Sequence, residues 1–180
     1  MSRIDLGRPS KLYRFTAKVK PVAKKRVRVY RTSLGIRGVN PSSKDEEVLR
    51  RIFRSLEGIP SEPIEVACLL GVKFYRNPPK STRKRDLYFI PNELYRPVVK
   101  PDLDNYIKLV KDAANEVIWK DDNLVIGYLP GTGKYYTLEE ERIEFTILTI
   151  GNDLHECYIK LLEEEIERTK THHKGIDDYF

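Results

Sequence analysis

The clearest helical period in the chain runs from Leu103 to Val117. Leu103, Ile107, Val110, Ala114 and Val117 recur at spacings of four, three, four and three, which lays them along one side of an α-helix. Two other segments carry the same signature. Val48, Leu49, Ile52, Phe53 and Leu56 follow Ser43, with Glu46 completing a capping box, and Gly58 and Pro60 close the run. Leu154, Cys157, Tyr158, Leu161, Leu162 and Ile166 follow Asn152, a good N-cap. Helices are therefore predicted at 44–57, 103–118 and 153–170.

Period two marks the strands. Leu12 to Lys20 and Arg142 to Ile150 alternate, and Pro63 to Tyr75 is near-continuously apolar, as a central strand would be. Leu124 to Leu129 reads as a further strand, and Tyr88 to Ile90 as a short one. Lys24 to Tyr30 reads as extended, whereas Gly35, Gly38, Pro41 and Ser42–Ser43 read as loop. Gly131–Thr132–Gly133 is a turn without the spacing of a phosphate loop. These elements predict an α/β fold: a small mixed sheet of about four or five strands with flanking helices, plus an extra C-terminal helix. The expected organisation is a core domain over 1–150 with a basic N-terminal arm, an appended helix over 151–172 and a tail over 173–180.

Charge changes the picture. The net balance of +6 hides an asymmetry of +15 in residues 1–100 against −9 in residues 101–180. From Leu6 to Lys44 there are twelve Lys or Arg and no acid. A basic half beside an acidic half points to a polyanion-binding surface flanking a cation site. Cys68 and Cys157 are far apart and fit no metal spacing, so they read as reduced thiols of an intracellular protein. No apolar run approaches the ~18 residues of a membrane span, and the N-terminus lacks the apolar core of a signal peptide.

The acidic residues concentrate around the middle helix, in KPDLDNYIKLVKDAANEVIWKDDNLV from Lys100 to Val125. Asp102 and Asp104 stand at its start, Asp121 and Asp122 just past its end, and Lys108 and Lys111 between. Trp119 is expected to pack near that end. Two residues apart inside a helix point nearly opposite ways. Asp102 to Asp104 is therefore read as a strand-to-helix junction, where both carboxylates can face one point. Several carboxylates converging without a buried Arg repel one another, and a hard divalent cation such as Mg²⁺ or Mn²⁺ removes that cost. The plain alternative is a capping Asp, a surface pair between Asp104 and Lys108, and a polar turn at Asp121–Asp122.

The same stretch resembles the RusA-type Holliday junction resolvases through KPDLDN, Lys108, Asp112–Ala113 and Asp121–Asp122 followed by a hydrophobic strand. Tyr106 and Asn115–Glu116 depart from the usual pattern without touching the acidic set. The resemblance implies metal-binding carboxylates at Asp102, Asp104 and Asp122, with Asp121 as a further candidate, and an essential lysine at Lys108. It implies a Mg²⁺-dependent endonuclease, with Mn²⁺ as the substitute ion, that acts on four-way DNA as a symmetric homodimer in recombination and repair. It also covers Pro21–Arg28, with Lys24, Lys25, Arg26 and Arg28 as DNA contacts. A second basic loop, Lys80, Arg83, Lys84 and Arg85, stands where the family has one, and Lys134 within Lys134–Tyr135–Tyr136 is expected at a phosphate. Localisation is expected to be cytoplasmic, on DNA.

Ile176, Tyr179 and Phe180 at the chain's end resemble the peptide that docks on ring-shaped sliding clamps, although His173 stands where Gln is usual. The alternative there is a frayed tail. Two rival functions stay open. One is a non-catalytic DNA-binding module with a structural acidic motif. The other is a D-x-D nucleotide-sugar transferase, disfavoured by the basic N-terminal half and the lack of a nucleotide-binding βαβ pattern.

Overall fold

A computed structural model describes residues 6–33 and 35–171 of the protein. The tail peptide with Ile176, Tyr179 and Phe180 lies outside the described residues, as do His172 and His173. In chain order the elements are β1 (Leu12–Ala17), β2 (Arg28–Thr32), β3 (Gly35–Val39), α1 (Ser43–Arg54), β4 (Cys68–Arg76), α2 (Lys84–Leu87), α3 (Leu103–Ala114), a 3-10 turn (Asp122–Leu124), β5 (Val125–Tyr128), β6 (Gly133–Tyr136), β7 (Arg142–Thr149) and α4 (Leu154–Thr171).

The main sheet is mixed, as expected, and has five strands. Its order is β1-β7-β4-β5, with β6 pairing β4 on the same edge as β5. β4 and β7 run antiparallel from Cys68↔Thr149 to Tyr75↔Arg142, while β5 and β6 pair parallel with the first and second halves of β4. The chain leaves that edge at Leu129 and returns at Gly133.

Alternation along β4 sorts the two faces. Cys68, Leu70, Val72 and Phe74 point into the core, where they meet Phe15 of β1, Phe145 and Ile147 of β7, Leu49 and Phe53 of α1, and Ile107, Val110 and Ala114 of α3. Phe145 stacks on Phe15 at 4.7 Å and takes the edge of Phe53 at 5.4 Å, geometry that adds to the area buried. Lys73 and Tyr75 point the other way, towards α4. That helix buries none of its described residues fully and is held by charge: Arg14 pairs with Glu164, Lys73 with Glu165 at 2.7 Å, and Arg168 with Glu93. Among the described residues no helix is long and apolar enough to cross a membrane.

Several local expectations are corrected. α3 stops at Ala114 rather than 118, because Glu116 adopts a positive φ of 61° and its N–H turns back to the Trp119 carbonyl at 2.8 Å. Trp119 is fully buried and its indole N–H bonds Asn115 Oδ1 at 3.0 Å, which closes the turn. The capping box is absent: the N-cap position of α1 is Ser42, whose hydroxyl accepts the Lys25 N–H, while Glu46 reaches Asn40 and Lys24. Val48 is exposed rather than core. Gly35 and Gly38, read as loop, belong to β3, which pairs with β2 in a separate two-stranded ribbon. Tyr88 to Ile90 is a turn after α2, not a strand.

Candidate metal and nucleic-acid site

The start of α3 is shaped by Asp102, which sits at the N-cap position with extended backbone (φ −72°, ψ 151°) and whose side chain makes no capping hydrogen bond. Its carboxylate is exposed, as is that of Asp104 one turn into the helix. Just before them the Lys100–Pro101 peptide is cis. Lys134 does not reach outward as expected; its ammonium donates to the Val99 and Pro101 carbonyls at 2.9 and 3.0 Å, clasping the approach to the acidic run.

Asp104, Lys108 and Asp122 line one open cleft of about 800 Å³, together with Leu103, Ile107, Lys111, Tyr128 and the turn residues Leu129, Gly131 and Thr132. Helix spacing explains the first group, since Asp104, Lys108 and Lys111 rise up one side of α3 at steps of four and three. Asp122 returns from the 3-10 turn beyond Trp119 and pairs with Lys111 at 3.5 Å. Asp104 and Lys108 form no ion pair with each other, and neither has a partner among the described residues. Asp121 turns aside: its Oδ1 accepts the Asn123 N–H at 2.9 Å. Neither Asp121 nor Asp102 lines the cleft. Among the described residues no three carboxylate, His or Cys side chains are grouped to hold a metal. The structure thus brings together two of the four expected carboxylates and sets two lysines beside them.

This donor set suits Mg²⁺ or Mn²⁺. It offers hard oxygens and no His or Cys, and Mg²⁺ usually takes one or two protein carboxylates and completes its shell with waters and substrate phosphates. Thr132 lines the cleft, but its hydroxyl donates to the Leu129 carbonyl at 2.9 Å. Cys68 lies in the core, and burial pushes its thiol up to about 12, with Lys111 pulling it down only in part. Lys111 and Tyr128 escaped the sequence reading as site residues. The signals were the three-residue step from Lys108 and the exposed alternation of Ile126 and Tyr128 along β5.

The basic arm is redistributed by the fold. Lys24, expected on DNA, is mostly buried and pairs with Asp112 of α3 and, at 3.2 Å, with Glu46 of α1. Burial disfavours its charge, but hydrogen bonds to Asp112 and Glu46 outweigh that and raise its pKa. Lys25 pairs with Asp45, Lys18 with Glu140, Lys20 with Glu141 and Arg14 with Glu164. Acids from distant segments therefore answer much of a run that looked unopposed. Arg26, Arg28 and Arg31 are exposed and have no carboxylate partner among the described residues. The β2–β3 register puts Arg28 and Tyr30 on one side of the ribbon and Val29, Arg31 and Ile36 on the other. In the second basic loop Arg83 and Arg85 share Asp86, at 2.9 and 3.5 Å, while Lys80 and Lys84 are exposed.

The fold is thus an α/β domain with a cleft at the start of α3 that carries two aspartates and two lysines. Residues 18–148 match the Endodeoxyribonuclease RusA family, and the chain belongs to that family. The chain is also 44% identical over 84 residues to the uncharacterised protein YqaN of Bacillus subtilis (strain 168), a match spanning 46% of this chain and 57% of that protein.

Proposed function

We propose that this chain is a divalent-cation-dependent endodeoxyribonuclease that resolves four-way DNA junctions by paired nicks, acting inside the cell as a homodimer. The observation that carries the reading is the cleft in which Asp104 and Asp122 meet Lys108 and Lys111. Family membership supports it, because the family is one of endodeoxyribonucleases.

In this reading Asp104 and Asp122 would hold the ion, and Asp102, which makes no capping hydrogen bond and lies outside the cleft lining, would join them only by turning towards it. A bound ion would supply Lewis acidity at the scissile phosphate. Lys108, free of any carboxylate among the described residues, donates to a non-bridging oxygen of the scissile phosphate and offsets the charge that builds there. Lys111 balances Asp122 before the ion arrives. Water would attack phosphorus directly and the 3′-oxygen would leave, the water's proton passing to solvent and the departing oxygen taking one from solvent, since among the described residues lining the cleft the one aliphatic hydroxyl, that of Thr132, is bonded to a backbone carbonyl. Arg26, Arg28, Lys80 and Lys84 neutralise DNA phosphates outside the cleft, which draws affinity from counterion release. Clamp docking through Ile176, Tyr179 and Phe180 remains a separate proposal, tested by titrating a sliding clamp with the full chain and with a chain ending at Lys174.

A second reading, a DNA-binding module without catalysis, is favoured by one observation: no group of three metal-ligating side chains exists among the described residues. Labelled four-way junction and matched linear duplex, each with and without Mg²⁺, separate the two. The nuclease reading expects paired nicks in the junction only with Mg²⁺, and expects Asp104→Asn and Asp122→Asn to bind the junction without cutting it. Junction binding with no cleavage in Mg²⁺ or Mn²⁺ would leave the second reading standing.

A further inference from the structure

The family match ends at residue 148, and α4 begins at Leu154. The helix nevertheless reaches the wall of the candidate cleft from behind. That wall is the turn Leu129–Thr132, which joins β5 to β6. Leu129, Gly131 and Thr132 face the cleft that holds Asp104 and Asp122. Leu129, Pro130 and Gly131 also face a second space, of about 310 Å³, enclosed between the sheet and α4 and lined there by Lys73 and Glu165. One turn thus has the acidic site on one side and the C-terminal helix on the other.

The contacts on the helix side are close. Gly131 has a φ of +80°, and a Cβ there would lie 2.7 Å from Glu165 Oε1 and 2.8 Å from Lys73 Cε. Only glycine adopts that backbone without strain, and it also lets the Lys73–Glu165 pair press against the turn. Lys73 holds Glu165 through both carboxylate oxygens, at 2.7 and 3.0 Å, and sits 5.1 Å from the Tyr135 ring centroid. Tyr135 in turn donates its hydroxyl to the Gly131 carbonyl at 2.5 Å. On the sheet side the Leu129 N–H bonds the Leu70 carbonyl at 3.0 Å. At the other end the Thr132 hydroxyl lies 3.3 Å from the Leu70 carbonyl and accepts the Val72 N–H at 3.4 Å, so the turn is pinned to β4 at both ends, while its middle is bonded by Tyr135 and packed against Glu165 of α4.

We propose that α4 is a positioning element of the cleft: Glu165, acting through Lys73 and Tyr135, fixes the Leu129–Thr132 turn and so the wall against which DNA is held beside Asp104 and Asp122. The proposal rests on the nuclease reading for its effect on cleavage, but the grip on the turn stands apart from it. Glu165 touches neither carboxylate of the cleft nor Lys108, so it acts only through the turn.

The test uses the full chain with Glu165→Gln, and a second variant, Lys73→Arg, that keeps a cation facing Glu165 and Glu93. Two measurements are made on each: amide hydrogen exchange at Leu129 and Thr132, and single-turnover cleavage of a four-way junction in Mg²⁺ alongside junction affinity in Ca²⁺. Glu165→Gln is expected to speed exchange at those two amides and to slow cleavage by about tenfold to a hundredfold, the scale of a small misplacement at a reacting centre. Junction affinity should stay within about twofold, because phosphate contacts outside the cleft set it. Lys73→Arg, which keeps the charge facing Glu165, should hold exchange and cleavage near the values of the unaltered chain. Unchanged exchange, or faster exchange with an unchanged cleavage rate, overturns the proposal. Should the unaltered chain not cut at all, the nuclease reading falls, and the exchange rates alone decide whether α4 grips the turn.

Discussion

Lys24 is bonded to Asp112, so a lysine of the basic run joins the N-terminal arm to the helix that carries the acidic motif. Glu46 at 3.2 Å makes the same lysine a bracket between α1 and α3. Lys24→Met would leave two partly buried carboxylates facing each other without a cation. The expected cost is about 1–3 kcal/mol, the range for losing hydrogen bonds to charged groups, read from urea unfolding. Arg28→Ala on the exposed ribbon should leave stability within about 0.5 kcal/mol, yet lower the slope of log affinity against log salt by about 1. If Lys24→Met weakened DNA binding and left stability untouched, the two roles would be the reverse of those assigned.

Asp102 offers a way to separate chemistry from folding. A capping Asp replaced by Ala usually costs about 1 kcal/mol, but Asp102 makes no capping hydrogen bond. Asp102→Ala should therefore unfold at the same urea concentration as the unaltered chain. Any loss of Mg²⁺-dependent cleavage can then be assigned to the missing carboxylate. A clear drop in the unfolding midpoint would show that Asp102 serves the helix after all.

Lys111 occupies Asp122 until something displaces it. A divalent ion arriving at Asp122 must compete with that ammonium. Lys111→Met should therefore tighten Mg²⁺ binding by up to about fivefold, the equivalent of up to about 1 kcal/mol for a half-exposed pair, as measured by calorimetric titration of the DNA-free protein. Weaker Mg²⁺ binding in this variant would mean that Lys111 orients Asp122 rather than opposing the ion.

Much of this arrangement was legible in the chain. The helix period from Leu103, the apolar run of β4 and the alternation of β7 located the core, because each buries one face and that face leaves a period. The motif from Lys100 to Asp122 contributes Asp104, Lys108, Lys111 and Asp122 to the cleft but leaves Asp102 and Asp121 outside it. What the sequence concealed were relations between distant segments. No local pattern says that Glu140, Glu141 and Glu164 answer Lys18, Lys20 and Arg14, so the arm looked more available to DNA than it is. The ribbon of β2 and β3 was missed because Gly35 and Gly38 read as loop. β6 was hidden by its length of four residues and by its position after a glycine turn.

The last prediction concerns pH and the acid at the centre of the second face. Glu93 lies under α4 and accepts hydrogen bonds from Tyr75 at 2.7 Å and from Arg168 and Lys73. Burial, first, and the nearby Glu165 and Glu144 raise its pKa above the ordinary 4.5, while the Tyr75 hydroxyl and Arg96 pull it back without cancelling the rise. Glu165 is raised too, by burial, with Arg96 opposing. A folded state that holds a proton more tightly than the unfolded chain is favoured most below the unfolded value. These two groups therefore contribute most to stability below pH 4.5, and that contribution is lost as pH rises through their native pKa values. Asp153 has the opposite sign, lowered by the Ser10 N–H from 3.8, so its contribution is already complete across this window. Urea unfolding of the unaltered chain and of Glu93→Gln from pH 4.5 to pH 8 isolates the Glu93 share. The difference in unfolding free energy should shift in favour of the glutamine chain as pH rises, since an amide keeps the hydrogen bonds of the neutral acid and cannot ionise. A shift in favour of the unaltered chain would mean that Arg168 and Lys73 stabilise the ionised carboxylate by more than burial costs it, and that the network clamps α4 most firmly at neutral pH.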